Sequence, residues 1–239
     1  YRHATLIIVP PALVSQWISE VQKIAGDALV VDFFCHKEAT FVRQGSPSAS
    51  EGRSADVVIA TYQALEKTRK RISPAFQVLS SVIWGRVVLD EMQEIRSWTT
   101  SISKHCQKLQ SSRRWMLSGT PLLEGIQDFR GELCFLGLEP FAANNEDGYF
   151  DFAISNHWNA RSSYGLEILR VLSLVMLRRS KSMTIRKTNL PLLGLKPLTL
   201  TFEPVPQDTS ERALYCFLEY LMHSTMRNDN NNNNNNNNN

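Results

Sequence analysis

The sequence predicts an α/β protein, in which a parallel sheet carries helices on both faces and further helices extend the fold at the C-terminal end. Through about residue 120, short apolar segments alternate with stretches of helical periodicity. Strands that alternate with helices form parallel sheets that are covered on both faces. From about residue 126 onwards the periodicity is helical, which predicts the C-terminal extension.

The strands are predicted from short apolar runs that end at prolines or polar residues. The first, Thr5–Val9, is followed by Pro10 and Pro11. Such a continuous run is typical of a strand that is buried on both faces. By the same reasoning, further strands are predicted at residues 29–34, 57–60, 87–89 and 115–117.

The helices are predicted from apolar residues spaced three or four positions apart. Leu13, Trp17, Val21 and Ile24 follow this spacing and form one apolar stripe of a helix, which Gly26 ends. The segment 44–55 is rich in serine, glycine and charge, and is predicted to be a loop. Further helices are predicted at residues 62–70, 101–109, 126–136, 164–177 and 211–222.

The composition is that of an ordinary globular domain, with 239 residues, 43% of them hydrophobic and 21% charged. No apolar run reaches the ~18–20 residues of a membrane span, so no membrane association is predicted. The net charge of +3 alone says little about nucleic acid binding. The four cysteines form no Cys-x-x-Cys pair, which favours free thiols in a reducing compartment and disfavours a zinc site.

The most informative segment is an apolar strand that ends in two adjacent carboxylates. Val87, Val88 and Leu89 are followed directly by Asp90 and Glu91. In a parallel sheet, chemistry is concentrated at the carboxyl ends of the strands. A nucleotide hydrolase uses one such carboxylate to hold hydrated Mg²⁺ and another to orient or deprotonate the attacking water. The alternative interpretation is a helix start, where acidic residues complement the helix dipole.

A second polar cluster, Ser118-Gly119-Thr120, follows the last predicted strand. Small hydroxyl residues at this position can form hydrogen bonds with the carboxylates of the neighbouring strand. The alternative is an ordinary turn from strand to helix, in which a hydroxyl caps the helix.

These segments, in their order and spacing, resemble the motifs of the Swi/Snf-type helicase-like ATPases of superfamily two. The resemblance covers residue 3 to about residue 222. The form of motif II and the Arg114-Trp115 pair are similar to the post-replication-repair branch, some members of which carry a RING-type ubiquitin ligase insertion; no RING is visible in this chain. The matching segments are Leu6 to Pro10 with Gln16-Trp17 for motif Ia, 56–65 for motif Ib, 84–93 for motif II, 114–121 for motif III, and 176–181 further on.

The resemblance implies a RecA-like lobe that uses ATP and Mg²⁺. It implies that Asp90 binds Mg²⁺ through water, that Glu91 is the catalytic base or positions the water, and that Gln93 couples the nucleotide site to motif III. Ser118, Gly119 and Thr120 would pass that coupling on to the DNA-binding surface. Met92 stands where the family usually has alanine, so the sequence does not predict how this larger side chain packs.

The resemblance also implies double-stranded DNA or chromatin as the partner and the nucleus as the location. Trp17, near the predicted contacts, is expected mainly to pack in the core of its helix, and Tyr62 has the alternative of a packed aromatic at a strand end. The predicted DNA-binding residues are Pro10, Gln16, Thr61, Tyr62, Arg178 and Arg179.

Four segments follow from this resemblance. They are a partial first lobe (1–140), a helical protrusion (141–187), a proline-containing connector towards a second lobe (188–227) and a disordered asparagine tract (228–239). The sequence contains no Gly-Lys pair, so motif I, the phosphate-binding loop, is expected before Tyr1, and the second lobe is expected beyond Asn239. The chain alone is therefore predicted to be inactive. A catalytically inactive lobe that serves as a DNA-binding or protein-interaction scaffold is the competing hypothesis.

Overall fold

A computed structural model describes the chain at residues 3–45, 52–66, 72–120, 125–141, 149–164, 170, 173–180, 183–185, 188–191 and 199–235. The chain divides into two compact units, Tyr1–Leu177 and Arg178–Asn239. In the part of the chain that the structure describes, no helix is long and apolar enough to cross a membrane.

The first unit is built on a six-stranded sheet with the order β3-β2-β4-β1-β6-β8. All neighbouring strands in it are parallel except β2 and β3, which pair antiparallel. Strands β5 and β7 form a separate two-stranded sheet. The strands are β1 (Thr5–Val9), β2 (Val31–Cys35), β3 (Thr40–Gln44), β4 (Val57–Thr61), β5 (Ile83–Trp84), β6 (Arg86–Asp90), β7 (Gln110–Ser111) and β8 (Arg114–Leu117).

Helices cover both faces of the large sheet, as the sequence predicts. On one face, helix α1 (Val14–Ala25) packs Trp17, Ile18 and Val21 against a buried layer that includes Ile7 and Val88. The opposite face is the larger core. It is formed with helices α2 (Pro74–Ser80), α3 (Ser101–Lys108) and α4 (Asp128–Leu136), and it includes Leu6, Ile8, Val58, Leu89, Phe76, Cys106 and Phe135.

Strand β3 is the main departure from the predicted parallel sheet. The predicted loop 44–55 begins one residue too early, because Gln44 still pairs with Val31. A short turn at residues 36–39 joins β2 to β3, and a connection this short permits antiparallel pairing only. The sequence signal is weak because β3 is mostly exposed and has no continuous apolar run.

Other differences are local. The predicted helix 62–70 is a 3-10 turn at Tyr62–Leu65, and residues 67–71 lie outside the described part. Ile24, predicted to lie on the packed stripe of α1, is 82% exposed, because that stripe ends at Val21. Helix α2 and the two-stranded sheet were not predicted.

The remainder of the first unit is helical at residues 149–159. A π-helical turn at Asp151–Ser155 leads into the short helix α5 (Asn156–Asn159). The apolar residues of the π-helical turn pack with those of α4. Of the predicted helix 164–177, residues 164, 170 and 173 are helical, residues 174–177 are not, and the rest lie outside the described residues.

In the second unit, residues 199–208 are exposed and form neither helix nor strand, and their role as a connector remains a prediction. Helix α6 runs over Thr209–Asn235, much further than the predicted helix 211–222. The asparagine tract was predicted to be disordered, but the structure continues the helix into it. Once a helix is nucleated, each added residue contributes a further backbone hydrogen bond, which offsets the weak helix propensity of asparagine.

Candidate active site

The predicted site residues lie at one end of the large sheet. The parallel register pairs Val9 with Thr61 across β1 and β4, and Asp90 with Leu117 across β6 and β8. Since β1 also pairs with β6, the segments that follow these four strands start from the same edge. The fold therefore brings the carboxylates of motif II next to the hydroxyl residues of motif III.

Asp90 and Glu91 sit where β6 ends, and the backbone turns sharply between them. Glu91 has φ 52° and ψ 58°, a left-handed conformation that is uncommon for a residue other than glycine. Its backbone N–H donates to Asp90 Oδ1 over 3.0 Å. Strained backbone of this kind is found mainly at functional sites, where the surrounding structure fixes a side-chain direction. The helix-start interpretation of Asp90-Glu91 fits poorly, because only a 3-10 turn, Met92–Ile95, follows.

A chain of hydrogen bonds leads from Glu91 to motif III. Gln93 Nε2 donates to Glu91 Oε2 over 2.7 Å, and Ser118 Oγ donates to Gln93 Oε1 over 3.2 Å. The backbone N–H of Thr120 then donates to Ser118 Oγ over 3.0 Å. An ionised carboxylate can only accept hydrogen bonds, so it fixes the orientation of the Gln93 amide and thereby makes Ser118 the donor. Gly119 lies exposed within this turn.

Two aromatic residues hold Asp90 in place. Trp17 Nε1 donates to Asp90 Oδ2 over 2.7 Å, and the Tyr62 hydroxyl donates to the backbone carbonyl of Asp90 over 2.8 Å. Burial raises the pKa of Tyr62 above its ordinary value, and the nearby Cys106 and acidic residues raise it further. The hydroxyl thus remains a donor at any physiological pH.

This arrangement corrects one sequence-based assignment and completes another. Tyr62 was predicted to contact DNA, but its side chain is 4% exposed and its hydroxyl is engaged by Asp90, so the packed alternative is correct. Trp17 packs against the sheet as expected, but its N–H bond to Asp90 was not foreseen.

The other predicted DNA-binding residues differ in their accessibility. Gln16 is exposed on α1 and Pro10 is half-buried just after β1. Thr61 is buried, and within the described residues its hydroxyl has no hydrogen-bond partner. Arg178 and Arg179 are exposed in the second unit, which is separate from the unit that carries the other residues.

The chemistry of Asp90 fits a hydrated magnesium ion. Among the described residues, no group of three or more histidine, cysteine or acidic side chains is placed to hold a metal. Mg²⁺ retains several waters and is commonly bound through only one or two carboxylates together with substrate phosphates. A single carboxylate at a strand end is therefore sufficient as the contribution of this chain.

Helix α4 packs closely against the 3-10 turn Met92–Ile95, which we call the motif II turn. The contact is made at Gly131, which the sequence analysis did not identify. A Cβ placed on Gly131 would lie 2.3 Å from the carbonyl oxygen of Ile95 and 2.8 Å from that of Arg96. The backbone of α4 thus approaches the Met92–Ile95 turn more closely than any larger residue permits. Met92, which stands where the family usually has alanine, is 6% exposed, so the fold accommodates its larger side chain.

Motif III is anchored by Arg114 at the start of β8. Its guanidinium donates to the carbonyl oxygens of Leu109, Gln107 and Phe135 over 2.7, 3.1 and 3.0 Å, respectively. The cation also lies 5.1 Å from the centre of the Phe135 ring. Burial lowers the pKa of Arg114, and three carbonyl acceptors compensate the charge. From the sequence, Arg114 is identified only as a member of the segment that resembles motif III.

Together, the sheet order, the paired carboxylates and the hydrogen-bonded motif III turn have the arrangement that the sequence resemblance implies for a RecA-like lobe. Comparison with known proteins agrees. The chain belongs to the SNF2-related domain family, whose model matches residues 1–233.

Curated relatives and a solved structure give the same result. The chain is 31% identical over 221 residues to DNA repair protein RAD5B of Arabidopsis thaliana, and 28% identical over 225 residues to DNA repair protein RAD5 of Mycosarcoma maydis. These alignments cover 91% and 89% of this chain but 16% of each relative, so the chain spans about a sixth of their length. The Sulfolobus solfataricus SWI2/SNF2 ATPase core in complex with dsDNA matches with a TM-score of 0.58 and 25% identity, over 80% of this chain and 36% of that one. The predicted family, branch and fold are confirmed.

Proposed function

We propose that this chain is part of an ATP-dependent translocase on double-stranded DNA, which acts in DNA repair or chromatin remodelling in the nucleus. The observation that carries the proposal is the bonded chain from Glu91 through Gln93 to Ser118, beside Asp90. A lobe that served only as a scaffold would have no need of a strained glutamate held in this way. The names of the relatives support DNA repair as the setting.

In this proposal each residue has one chemical task. Asp90 would hold hydrated Mg²⁺, and the ion would neutralise developing charge on the phosphates of bound ATP. Glu91 Oε2 is occupied by Gln93, so the other carboxylate oxygen is the one available to orient the attacking water and accept its proton. Water oxygen then bonds to the γ-phosphorus as the bond to the β-phosphate oxygen breaks, which releases ADP and phosphate.

Gln93 and Ser118 couple this site to the rest of the lobe. Because the Gln93 amide contacts Glu91 on one side and Ser118 on the other, a movement of either is transmitted to its partner. DNA contact is assigned to Pro10 and Gln16, with Arg178 and Arg179 as candidate phosphate contacts, whereas the predicted contact Thr61 is buried. Binding of this kind is mainly to the phosphate backbone, so it is salt-sensitive and weakly dependent on sequence.

The test is ATP hydrolysis by the full-length protein, with and without duplex DNA, in wild type and in Glu91→Gln. General-base catalysis contributes roughly 10²–10⁴-fold, so we expect a loss of this size in Glu91→Gln with DNA binding retained. Glu94→Gln is the matched control, because Glu94 lies exposed in the same turn. We expect its turnover to be unchanged.

Two outcomes would contradict the proposal. Equal turnover in wild type and Glu91→Gln would remove Glu91 from the mechanism. No turnover in well-folded wild type that still binds DNA would favour the scaffold hypothesis instead. We also expect the 239-residue chain alone to bind ATP weakly and not to hydrolyse it, which isothermal titration calorimetry tests directly.

A further inference from the structure

Every oxygen atom of Asp90 accepts a hydrogen bond from within the chain. Trp17 Nε1 donates to Oδ2, the Glu91 backbone N–H donates to Oδ1, and the Tyr62 hydroxyl donates to the backbone carbonyl. The Glu91 donor is local, whereas Trp17 and Tyr62 come from segments 73 and 28 residues away. The position of Asp90 therefore depends on two other parts of the lobe.

One of those two parts, helix α1, also carries an accessible predicted DNA contact. Trp17 directly follows the exposed Gln16 on α1, and Tyr62 directly follows Thr61 at the end of β4. In the first pair, Trp17 is directed towards Asp90 and the exposed Gln16 is the candidate DNA contact, whereas in the second pair Thr61 is as buried as Tyr62. A displacement of either segment consequently moves a hydrogen-bond donor of Asp90.

The chemistry of the two donors suits a positioning role. An indole N–H can only donate a hydrogen bond, and the Tyr62 hydroxyl faces a backbone carbonyl, which can only accept one. Neither group can turn away by exchanging donor and acceptor roles. Hydrogen bonds to a charged acceptor are also the shorter and stronger ones, in agreement with the 2.7 Å distance from Trp17 to the carboxylate.

We propose that Trp17 and Tyr62 are positioning residues for Asp90, and that Trp17 transmits DNA binding at α1 to the Asp90 carboxylate. The inference rests on the proposed function and deepens it, because it names the route by which DNA stimulates hydrolysis. This route is separate from the Gln93–Ser118 chain, which starts at Glu91.

The experiment uses the full-length protein with the variants Trp17→Phe and Tyr62→Phe, each of which removes the donor and retains an aromatic ring. Trp158→Phe and Tyr149→Phe are matched controls at exposed positions outside the site. Three quantities are measured: the stimulation of ATP hydrolysis by duplex DNA, the Kd for the same DNA without nucleotide, and the affinity for Mn²⁺ with a non-hydrolysable ATP analogue, by electron paramagnetic resonance.

We expect Trp17→Phe to lower the stimulation by DNA about tenfold, and each site variant to weaken Mn²⁺ binding about fivefold, which are effects in the range of one lost hydrogen bond to a charged or backbone acceptor. The Kd for DNA should stay within about twofold of wild type. The two control variants should match wild type in all three measurements. Circular dichroism melting shows whether each variant is folded. If one site variant does not fold, the other still provides the test.

Two results would overturn the inference. Unchanged stimulation and unchanged Mn²⁺ affinity in both folded site variants would show that the bonds do not position Asp90. A rise in the Kd for DNA that accounts for the whole loss of stimulation would make these residues DNA contacts instead. If wild type itself shows no stimulated turnover, the proposed function fails, and the Mn²⁺ measurement still decides whether Trp17 and Tyr62 hold Asp90.

Discussion

Replacement of Gly131 by alanine tests how tightly α4 supports the motif II turn. The added Cβ would lie 2.3 Å from the Ile95 carbonyl oxygen and 2.8 Å from that of Arg96. Cβ atoms in folded proteins essentially never come within 3.0 Å of such an atom, so the first distance must grow by about 0.7 Å. Both neighbours are backbone atoms, which cannot move aside by changing a rotamer.

Two opposing effects set the magnitude. Alanine is favoured over glycine inside a helix by ~1 kcal/mol. Overpacking of a well-packed core costs ~1–3 kcal/mol, and the upper end applies here because backbone must shift. The steric effect therefore wins, and we expect the free energy of unfolding to fall by about 2 kcal/mol.

The assay is urea denaturation of the 239-residue chain, followed by circular dichroism. Gly125→Ala is the control, because a Cβ there meets no atom within 4 Å, and we expect its midpoint to be unchanged or slightly raised. In the full-length protein, Gly131→Ala should also slow ATP hydrolysis, since Ile95 ends the turn that carries Gln93. A Gly131→Ala variant as stable as wild type would refute the close packing of α4 on this turn.

Three further predictions concern single side chains. Ser118→Ala removes the donor to Gln93, so we expect steady-state turnover to fall about tenfold with ATP binding unchanged, whereas Ser118→Thr should retain activity; equal loss in both would contradict a hydroxyl role. Burial raises the pKa of Glu132 from 4.5 to about 8, so the folded state holds a proton that the unfolded state lacks between these values. Stability to urea should therefore fall as the pH rises from about 4.5 to 8, and Glu132→Gln should flatten that slope; an unchanged slope would exclude Glu132 as its cause. Asp32 is 3% exposed and pairs with Arg43 across the β2–β3 hairpin, so Asp32→Asn should lower the free energy of unfolding by ~1–3 kcal/mol, and an unaltered urea midpoint would show that the pair contributes nothing.

The central strands could be predicted from the sequence because their burial leaves a strong local signal. The β1 segment is apolar almost throughout, and its predicted bounds match the structure at both ends. Strand β3 gave no such signal, since it is held by its hairpin partner and exposes Val42 to 43%. A local sequence pattern therefore predicts strands that are buried, but it does not predict strands that are held mainly by pairing with a neighbouring strand.

The site was predictable in its carboxylates and in its link to motif III, but not in its supports. Asp90 and Glu91 follow a recognisable strand, and the Gln93–Ser118 contact agrees with the role that the resemblance implied for Gln93. The bond from Trp17 to Asp90 spans 73 residues, and the sequence offers no pattern for it. Tyr62 was assigned to the wrong surface because its hydroxyl is satisfied by a distant backbone carbonyl, which only the fold brings near.

The position of β1 in the sheet also bears on how the chain is made. This strand pairs with β4 on one side and with β6 on the other. Its pairing is therefore complete only once residues 86–90 are present. During synthesis at ~5–20 residues per second, the roughly 80 intervening residues leave it without its full set of partner strands for roughly 4–16 s. Its five residues are uncharged, mostly β-branched and free of proline, a composition that favours aggregation when exposed. The segment at the centre of the finished sheet is therefore among the most vulnerable while the protein is emerging from the ribosome.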